Sequence, residues 1–241
     1  GVPVITSWTT SDLVSSDHDM VVGRSGNFGD RAGNFAVQNS DLVLSIGSRL
    51  SVPQIGYNFS LFARAAKKIV VDIDTAELKK RSIVPDLPIH SDAKDFMIEL
   101  IKQWDGRPQL QVDDWRDRCR NWRLKYPVVL PEYELEENGV NSFYFIDVLS
   151  ANLDESAVVV TDMGSSFTCT MQTFKTKLGQ RLSTSSGHAS MGFGLPGAIG
   201  ACIGNNRKDT ICISGDGGLQ MNIQELQTIA HYSLPIKLFV L

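Results

Sequence analysis

The residues of this chain best suited to chemistry lie where apolar runs break at glycine. The run Thr210–Ser214 is followed by Gly-Asp-Gly-Gly at residues 215–218 and then by an amphipathic stretch. Two further runs break similarly, at Thr-Asp-Met-Gly-Ser-Ser from residue 161 and at Ser-Thr-Ser-Ser-Gly-His-Ala-Ser-Met-Gly from residue 183. If the runs are parallel strands, these loops share one edge of a sheet, and the free N–H groups at the helix starts favour a phosphate there.

The aspartate in this pattern, Asp216, indicates a metal ion. A carboxylate and a phosphate repel each other unless a cation lies between them, and Mg²⁺ or Ca²⁺ takes carboxylate, backbone and phosphate oxygens as ligands. Gly-Asp-Gly alone usually marks only a turn, so the hypothesis depends on the convergence of all three loops. The sequence therefore predicts a diphosphate site in which Asp216 holds the metal and the flanking glycines, Gly215, Gly217 and Gly218, admit the diphosphate.

Short apolar runs that alternate with helical stretches must position these loops, and they predict an α/β fold. We expect two doubly wound parallel-sheet domains, a Rossmann-like domain at residues 1–105 and a diphosphate-binding domain at 140–241, joined by a linker with a helix at 106–139. The predicted strands lie at residues 3–6, 41–47, 67–74, 87–93, 157–164, near 182, 209–214 and 235–241. The predicted helices lie at residues 31–40, 57–66, 92–104, 141–153, 165–175, 191–204 and 219–232.

Composition excludes several classes of partner. The net charge of -4 at pH 7 gives no basic surface for nucleic acid or for an anionic membrane. No apolar segment is long enough to span a bilayer. The four cysteines show no C-x-x-C spacing, and two of them lie in apolar runs, so we expect buried reduced thiols and a cytoplasmic protein.

Two segments carry a family resemblance. The stretch Gly215–Leu241 resembles the thiamine-diphosphate motif, and Ser186–Ala201 resembles the segment that holds the aminopyrimidine ring in acetolactate-synthase-like enzymes. Residues 34–51 and 69–80 are similar to the middle domain of the same group. By this resemblance the chain is identified as a member of that family, with a middle domain followed by a diphosphate-binding domain that is truncated at its C-terminus.

The resemblance implies roles for the residues that match the diphosphate motif. Asp216 matches the first Mg²⁺ ligand, and Gly217 and Gly218 match the backbone that meets the diphosphate. A second diphosphate-binding turn is matched by Gly164, Ser165 and Ser166.

A further set of roles concerns the rings of the cofactor. Met191 matches the bulky apolar residue that wedges between the two rings, and it is the expected catalytic residue. The carbonyl of Ala189 is expected to fix the aminopyrimidine, and Gly187 lies in the same loop. His188 stands where the synthases usually have a small apolar residue, and we expect it to be solvated or to pack rather than to face substrate.

The implied cofactors are thiamine diphosphate and Mg²⁺. FAD is a further candidate, because residues 23–34 are glycine-rich and the synthases bind FAD near a comparable loop, whereas many relatives keep this domain without a cofactor. The implied partners are a 2-oxo acid substrate and the pyrimidine-binding domain of the same or a second chain, which supplies the catalytic glutamate. We therefore expect a homodimer or homotetramer.

The expected activity is carboligation of 2-oxo acids. The alternative is 2-oxo acid decarboxylation, and the alternative of another class is a non-catalytic module or fragment, since the glutamate and the second metal ligand lie outside this sequence. We expect the chain to be inactive alone. A nicotinamide-dependent dehydrogenase fits the alternation of strands and helices but not Met191 and Asp216 together, and no G-x-G-x-x-G clearly follows an early strand.

Overall fold

The computed structural model describes all residues from Gly1 to Leu241, and they form two compact units. The first unit comprises Gly1–Ser7 and Val22–Tyr126, and the second comprises Trp8–Val21 and Pro127–Leu241. This division differs from the predicted ranges 1–105, 106–139 and 140–241. The helix expected in the linker belongs to the first unit, and a short N-terminal segment belongs to the second.

The first unit is built on a three-stranded parallel sheet. Its strands follow the order β3-β4-β5, and a separate two-stranded sheet joins β1 and β2. The strands are β1 (Val4–Thr6), β2 (Val21–Arg24), β3 (Leu42–Ile46), β4 (Lys67–Asp72) and β5 (Leu87–His90). The helices are α1 (Arg31–Asn39), α2 (Val52–Ile55), α3 (Thr75–Leu78), α4 (Ala93–Trp104) and α5 (Asp113–Lys125).

Aspartates begin three helices of the first unit. The side chains of Asp30, Asp74 and Asp92 accept hydrogen bonds from the first free N–H groups of α1, α3 and α4. The tryptophans of α5 take part in packing. Trp115 and Trp122 meet edge to face at 5.6 Å between ring centroids and pack with the cluster of buried residues that includes α1.

One predicted helix of the first unit is wrong. Residues 57–66 form only a short 3₁₀ turn, Phe59–Leu61, followed by irregular backbone. The hydroxyl of Ser60 donates to Asn58, a local contact that competes with helical hydrogen bonding. Ala63 has a φ of 43°, which no right-handed helix contains, and it is fully buried in the core cluster.

The second unit contains a four-stranded sheet in which every neighbouring pair is parallel. The strand order is β7-β6-β8-β9. The strands are β6 (Val158–Thr161), β7 (Arg181–Ser183), β8 (Thr210–Ser214) and β9 (Ile236–Val240). Every residue of the two central strands, β6 and β8, is buried, which explains their unbroken apolar runs. The predicted α/β class with parallel sheets is confirmed.

The helices of the second unit alternate with these strands. They are α6 (Ser142–Asn152), α7 (Ser165–Thr173), α8 (Gly194–Gly204), α9 (Asp216–Met221) and α10 (Glu225–Tyr232). Asn141 caps α6, accepting from the N–H groups of Phe143 and Tyr144. The single helix predicted over 219–232 is wrong, because the chain turns at residues 222–224 and forms α9 and α10 instead.

The cysteines and the lengths of the helices bear on two expectations from the sequence. The four cysteines are free and buried, as expected. None of the helices has both the length and the apolar character needed to cross a lipid bilayer.

Candidate functional site

The three loops singled out in the sequence meet at the carboxyl edge of the second sheet. Strands β6 and β8 are neighbours, and Thr161 at the end of β6 is paired with Ile213 near the end of β8. The loops that follow these two strands therefore start side by side. Asp162 continues the pairing, because its N–H donates to the carbonyl of Ile213 at 2.8 Å.

The side chain of Asp162 ties the third loop to the other two. Its Oδ1 accepts from the N–H of Gly192 at 3.0 Å and from the N–H of Met163 at 2.7 Å. Its Oδ2 accepts from the N–H of Gly194 at 2.9 Å and from the hydroxyl of Ser214 at 3.4 Å. One buried carboxylate thus contacts the end of β6, the end of β8 and the start of α8.

Gly192 occupies a position that only glycine fits. Its φ is +83°, and a Cβ added there would lie 2.8 Å from Cβ of Met221 and 2.9 Å from Nδ2 of Asn222. That same Nδ2 donates to the carbonyl of Gly192 at 2.7 Å. Sequence reasoning missed both Asp162 and Asn222, since neither residue has a signal apart from its place beside a glycine-rich loop.

Met191 lies next to the Gly-Asp-Gly loop. Its side chain is 53% exposed, unusual for so apolar a residue, and a Cβ added at Gly217 would lie 3.6 Å from its Cε. The structure therefore brings the expected wedge residue and the expected diphosphate loop together. The helix that follows begins at Gly194 rather than at Met191.

Asp216 is exposed at the first position of α9 and is accessible to a metal ion. Its Oδ1 accepts from the N–H of Gly217 at 2.7 Å, and its carboxylate forms no salt bridge. No group of three or more His, Cys, Asp or Glu side chains could hold a metal. A hard cation at Asp216 would therefore take its other ligands from backbone or amide oxygens, water or phosphate. This donor set fits Mg²⁺ or Ca²⁺ and does not fit zinc.

Open space surrounds three of the predicted cofactor glycines. A Cβ added at Gly164, Gly187 or Gly215 would meet no atom within 4 Å. Gly164 has a φ of +84° and precedes α7, whose N-terminus has no side-chain cap. Because its first N–H groups lack a side-chain acceptor, this end of α7 fits an anion.

The two serines after Gly164 differ in their surroundings. Ser165 is exposed, whereas Ser166 is fully buried and its hydroxyl donates to the carbonyl of Met163 at 3.1 Å. The Ser166 side chain thus holds its own loop, and only the backbone of this residue is suited to a ligand.

The loop before Met191 is exposed and carries one strained residue. His188 and Ala189 are both exposed. Ala189 has a φ of +55°, and its N–H donates to the carbonyl of Ser185 at 2.9 Å. An alanine in the left-handed region is uncommon and costs about 1 kcal/mol, and such strain concentrates at functional sites.

The glycine-rich segment at residues 23–34 of the first unit is used in internal packing. Asp30 accepts from the backbone N–H groups of Arg24 and Gly33 at 2.8 Å and 2.6 Å. Side chains at Gly23, Gly29 or Gly33 would collide with Asp30 or with the Arg24 backbone. Burial lowers the pKa of Arg24 to about 10 and raises that of Asp30. These glycines have a structural explanation, and FAD binding remains a prediction.

Comparison with protein families identifies both units. The model of the thiamine pyrophosphate enzyme C-terminal TPP binding domain matches residues 162–241, and that of the thiamine pyrophosphate enzyme central domain matches residues 1–100. The chain belongs to the thiamine pyrophosphate enzyme family. Thiamine pyrophosphate and thiamine diphosphate are the same compound, so the family that the sequence resembles is confirmed.

Individual relatives give a closer description. The chain is 35% identical to the acetolactate synthase large subunit of Pyropia yezoensis, over 100% of the chain and 40% of the relative. It is 32% identical to a probable acetolactate synthase large subunit of Methanococcus aeolicus, over 98% of the chain and 41% of the relative. It is 30% identical to the acetolactate synthase isozyme 1 large subunit of Escherichia coli K12, over 100% and 41%. The chain spans about two fifths of the length of these relatives.

Proposed function

We propose that this chain is the middle and diphosphate-binding part of a thiamine-diphosphate- and Mg²⁺-dependent carboligase that acts on 2-oxo acids. The observation that supports this proposal best is the convergence of three glycine-rich loops on one edge of the sheet. There Asp216, exposed and without a basic partner, stands beside the open glycines, and Met191 lies against Gly217.

The diphosphate end of the site is assigned to two of the loops. Asp216 binds Mg²⁺ through its carboxylate, the backbone at Gly215 is open to the diphosphate, and the backbone at Gly217 and Gly218 completes the contact. The backbone at Gly164, Ser165 and Ser166, at the uncapped start of α7, is the second diphosphate contact. The metal neutralises the repulsion between the carboxylate and the diphosphate.

The ring end of the site is assigned to the loop that contains Met191. The exposed side chain of Met191 supports the rings of the cofactor. The Ala189 carbonyl accepts from the amino group of the aminopyrimidine, and Gly187 leaves open space in the same loop. When bound, thiamine diphosphate supplies a nucleophilic carbon that adds to the carbonyl of a 2-oxo acid and accepts the electrons released with carbon dioxide. His188 is solvated at the mouth of this loop and takes no part in the chemistry.

A second surface completes the site in this proposal. A pyrimidine-binding domain of the same or a second chain covers the exposed apolar side chains near the loops, and the protein is a homodimer or homotetramer. These side chains are Met191, Met221, Ile223 and Leu226. Exposed apolar side chains beside a binding site favour burial against a partner.

Carboligation is favoured over decarboxylation because the relatives described above are acetolactate synthases by name. The distinction is tested with pyruvate, Mg²⁺ and thiamine diphosphate and the complete product of the gene that encodes these residues. We expect carbon dioxide release with acetolactate as the product. Acetaldehyde as the main product would instead identify a decarboxylase, and no turnover of pyruvate or other 2-oxo acids would favour a non-catalytic protein.

The same assay tests the role of Asp216 against a matched control. Asp209 is also an exposed aspartate, but it lies before β8, at the opposite end of that strand, and pairs with Lys237. We expect Asp216→Asn to lower the affinity for Mg²⁺ by at least about tenfold, whereas Asp209→Asn leaves it unchanged. Equal Mg²⁺ dependence in both variants would contradict the metal assignment.

A further inference from the structure

Asp162 is a buried carboxylate without a basic partner. It is fully buried, it forms no salt bridge, and its oxygens accept only from backbone N–H groups and one hydroxyl. An unpaired buried charge is costly unless hydrogen bonds satisfy it, and here four donors do so. A side chain that accepts from four donors holds the segments that carry those donors in one arrangement.

Two glycines lie close to the side chain of Asp162. A Cβ added at Gly194 would lie 2.9 Å from Cβ of Asp162, and one added at Gly218 would lie 2.8 Å from its Cγ. Both glycines thus leave room for the same side chain, and a Cβ at either would also crowd its Oδ2. Oδ1 of this side chain accepts from the N–H of Gly192, and Oδ2 accepts from the N–H of Gly194.

The backbone after Met191 is held from two sides. The N–H of Gly192, which belongs to the peptide group of Met191, donates to Asp162. The carbonyl of the same glycine accepts from Asn222, at 2.7 Å. The peptide planes on both sides of Gly192 are thus held, and because the first of them contains Cα of Met191, the point from which the Met191 side chain leaves the backbone is held as well.

We propose that Asp162 and Asn222 are positioning residues that hold Met191 in its cofactor-supporting place before any cofactor binds. This inference rests on the proposed function, since it assigns the purpose of the arrangement to the cofactor rings. Neither residue touches the reacting atoms. Asp162 fixes the Met191 peptide and Asn222 fixes the next one, so the wedge is preformed rather than ordered by the cofactor.

The substitution Asp162→Asn tests the arrangement with almost no change of shape. An amide offers one acceptor oxygen and one NH₂ group, so the NH₂ group must face an N–H or O–H donor that the carboxylate now satisfies. Either Gly192 or Gly194 then loses its acceptor. Asn222→Ala removes the hydrogen bond to the Gly192 carbonyl. Because Asn222 is only half-buried, this variant can be used if Asp162→Asn folds poorly. Asp12→Asn is the control, because Asp12 is also a poorly exposed acceptor of a backbone N–H, that of Leu182.

Hydrogen exchange of the complete gene product without cofactor gives the first readout. We expect both Asp162→Asn and Asn222→Ala to speed exchange in a peptide that spans residues 186–195 by at least about tenfold. The control variant and a peptide from β9 should exchange as in the wild type. Unchanged exchange of residues 186–195 in both variants would overturn the inference, whatever the cofactor chemistry.

Binding of two probes gives the second readout. Thiamine diphosphate engages both ends of the proposed site, whereas inorganic pyrophosphate with Mg²⁺ engages only the diphosphate end. We expect Asn222→Ala to weaken thiamine diphosphate at least about tenfold and pyrophosphate less than about twofold. An equal loss for both probes indicates general damage to the loops and overturns the inference. If the wild type binds neither probe, the proposed function fails, while hydrogen exchange still reports on the fixed peptide.

Discussion

Gly218 in α9 lies against Asp162 in the loop after β6, and a Cβ added to the glycine would lie 2.8 Å from Cγ of the aspartate. The glycine two residues after Asp216 is therefore needed for packing on the β6 loop as well as for any approach of a ligand. The close fit explains why these two segments keep one relative position. It also means that a larger residue at 218 must displace a buried carboxylate.

We predict that Gly218→Ala lowers the free energy of unfolding by about 1–3 kcal/mol, the usual cost of forcing a methyl group into a filled space. Chemical denaturation of the two proteins measures the difference. The matched control is Gly200→Ala in α8, where an added Cβ meets nothing within 4 Å. That change should stabilise the protein by roughly 0.5–1 kcal/mol, as alanine usually does inside a helix. A Gly218→Ala variant as stable as the wild type would contradict the close packing.

The strained residue Ala189 allows a test of the loop conformation. Its φ of +55° suits glycine and is most unfavourable for a β-branched side chain. We predict that Ala189→Val lowers the free energy of unfolding by roughly 1–3 kcal/mol, whereas Ala189→Gly leaves it unchanged within about 1 kcal/mol. Because residue 189 is exposed, lost packing does not confuse the comparison. Equal stabilities of the Val and Gly variants would show that the residue is not left-handed.

The cysteines should be unreactive in the folded protein. Burial, followed by the negative charge of Asp162, raises the pKa of the Cys212 thiol to about 12, and burial raises that of Cys119 to about 11. Burial also raises the pKa of Cys169. Only the thiolate is a strong nucleophile, so a raised pKa leaves too little of it at pH 8.

A thiol-reactive dye measures this directly. We predict almost no reaction at pH 8 in the native protein and reaction of all four cysteines after unfolding. Since a raised pKa keeps the thiol protonated as the pH increases, the reactivity of Cys212 and Cys119 in the folded protein should stay low up to about pH 9. Rapid labelling of Cys212 at pH 8 without unfolding would contradict its buried position.

The cap of α6 offers a prediction that the sequence alone already supports. Asn141 accepts from the N–H groups of Phe143 at 2.9 Å and Tyr144 at 3.3 Å. We predict that Asn141→Ala lowers the free energy of unfolding by about 1 kcal/mol and that Asn141→Asp largely preserves it. Thermal denaturation of the three proteins is sufficient, and a full loss in the Asp variant would argue against the capping role.

The central strands were predictable because burial on both faces leaves a plain signature. Both β6 and β8 are short, wholly buried runs rich in β-branched residues, each with a glycine within three residues of its end, and this combination of length and composition favours a strand over a buried helix. The α6 cap was equally predictable, since Asn before an apolar helix has a local physical cause. A helix or strand that is determined by residues close together in the sequence can be predicted without knowing the fold.

The break between α9 and α10 could not be predicted in the same way. Residues 219–232 have an amphipathic pattern that fits one helix, but Asn222 is engaged with the carbonyl of Gly192, thirty residues earlier in the chain. A tertiary contact thus overrides the local preference. The same holds for residues 57–66, where buried Ala63 adopts a left-handed conformation.

The candidate site was predictable in its loops but not in what holds them together. Glycine and Asp216 mark the loops by local chemistry, and the parallel sheet brings them to one edge as expected. Asp162 shows its role only once Gly192, Gly194 and Ser214 are seen around it. The roles of the individual cofactor residues remain predictions until a ligand is bound.

A calorimetric titration of thiamine diphosphate into the complete gene product, with and without Mg²⁺, decides whether Asp216 joins a metal to the diphosphate. We expect binding that requires Mg²⁺ in the wild type and in Asp209→Asn, and that weakens at least about tenfold in Asp216→Asn. Binding that is equally tight without the metal, or equally tight in Asp216→Asn, would contradict the proposed site.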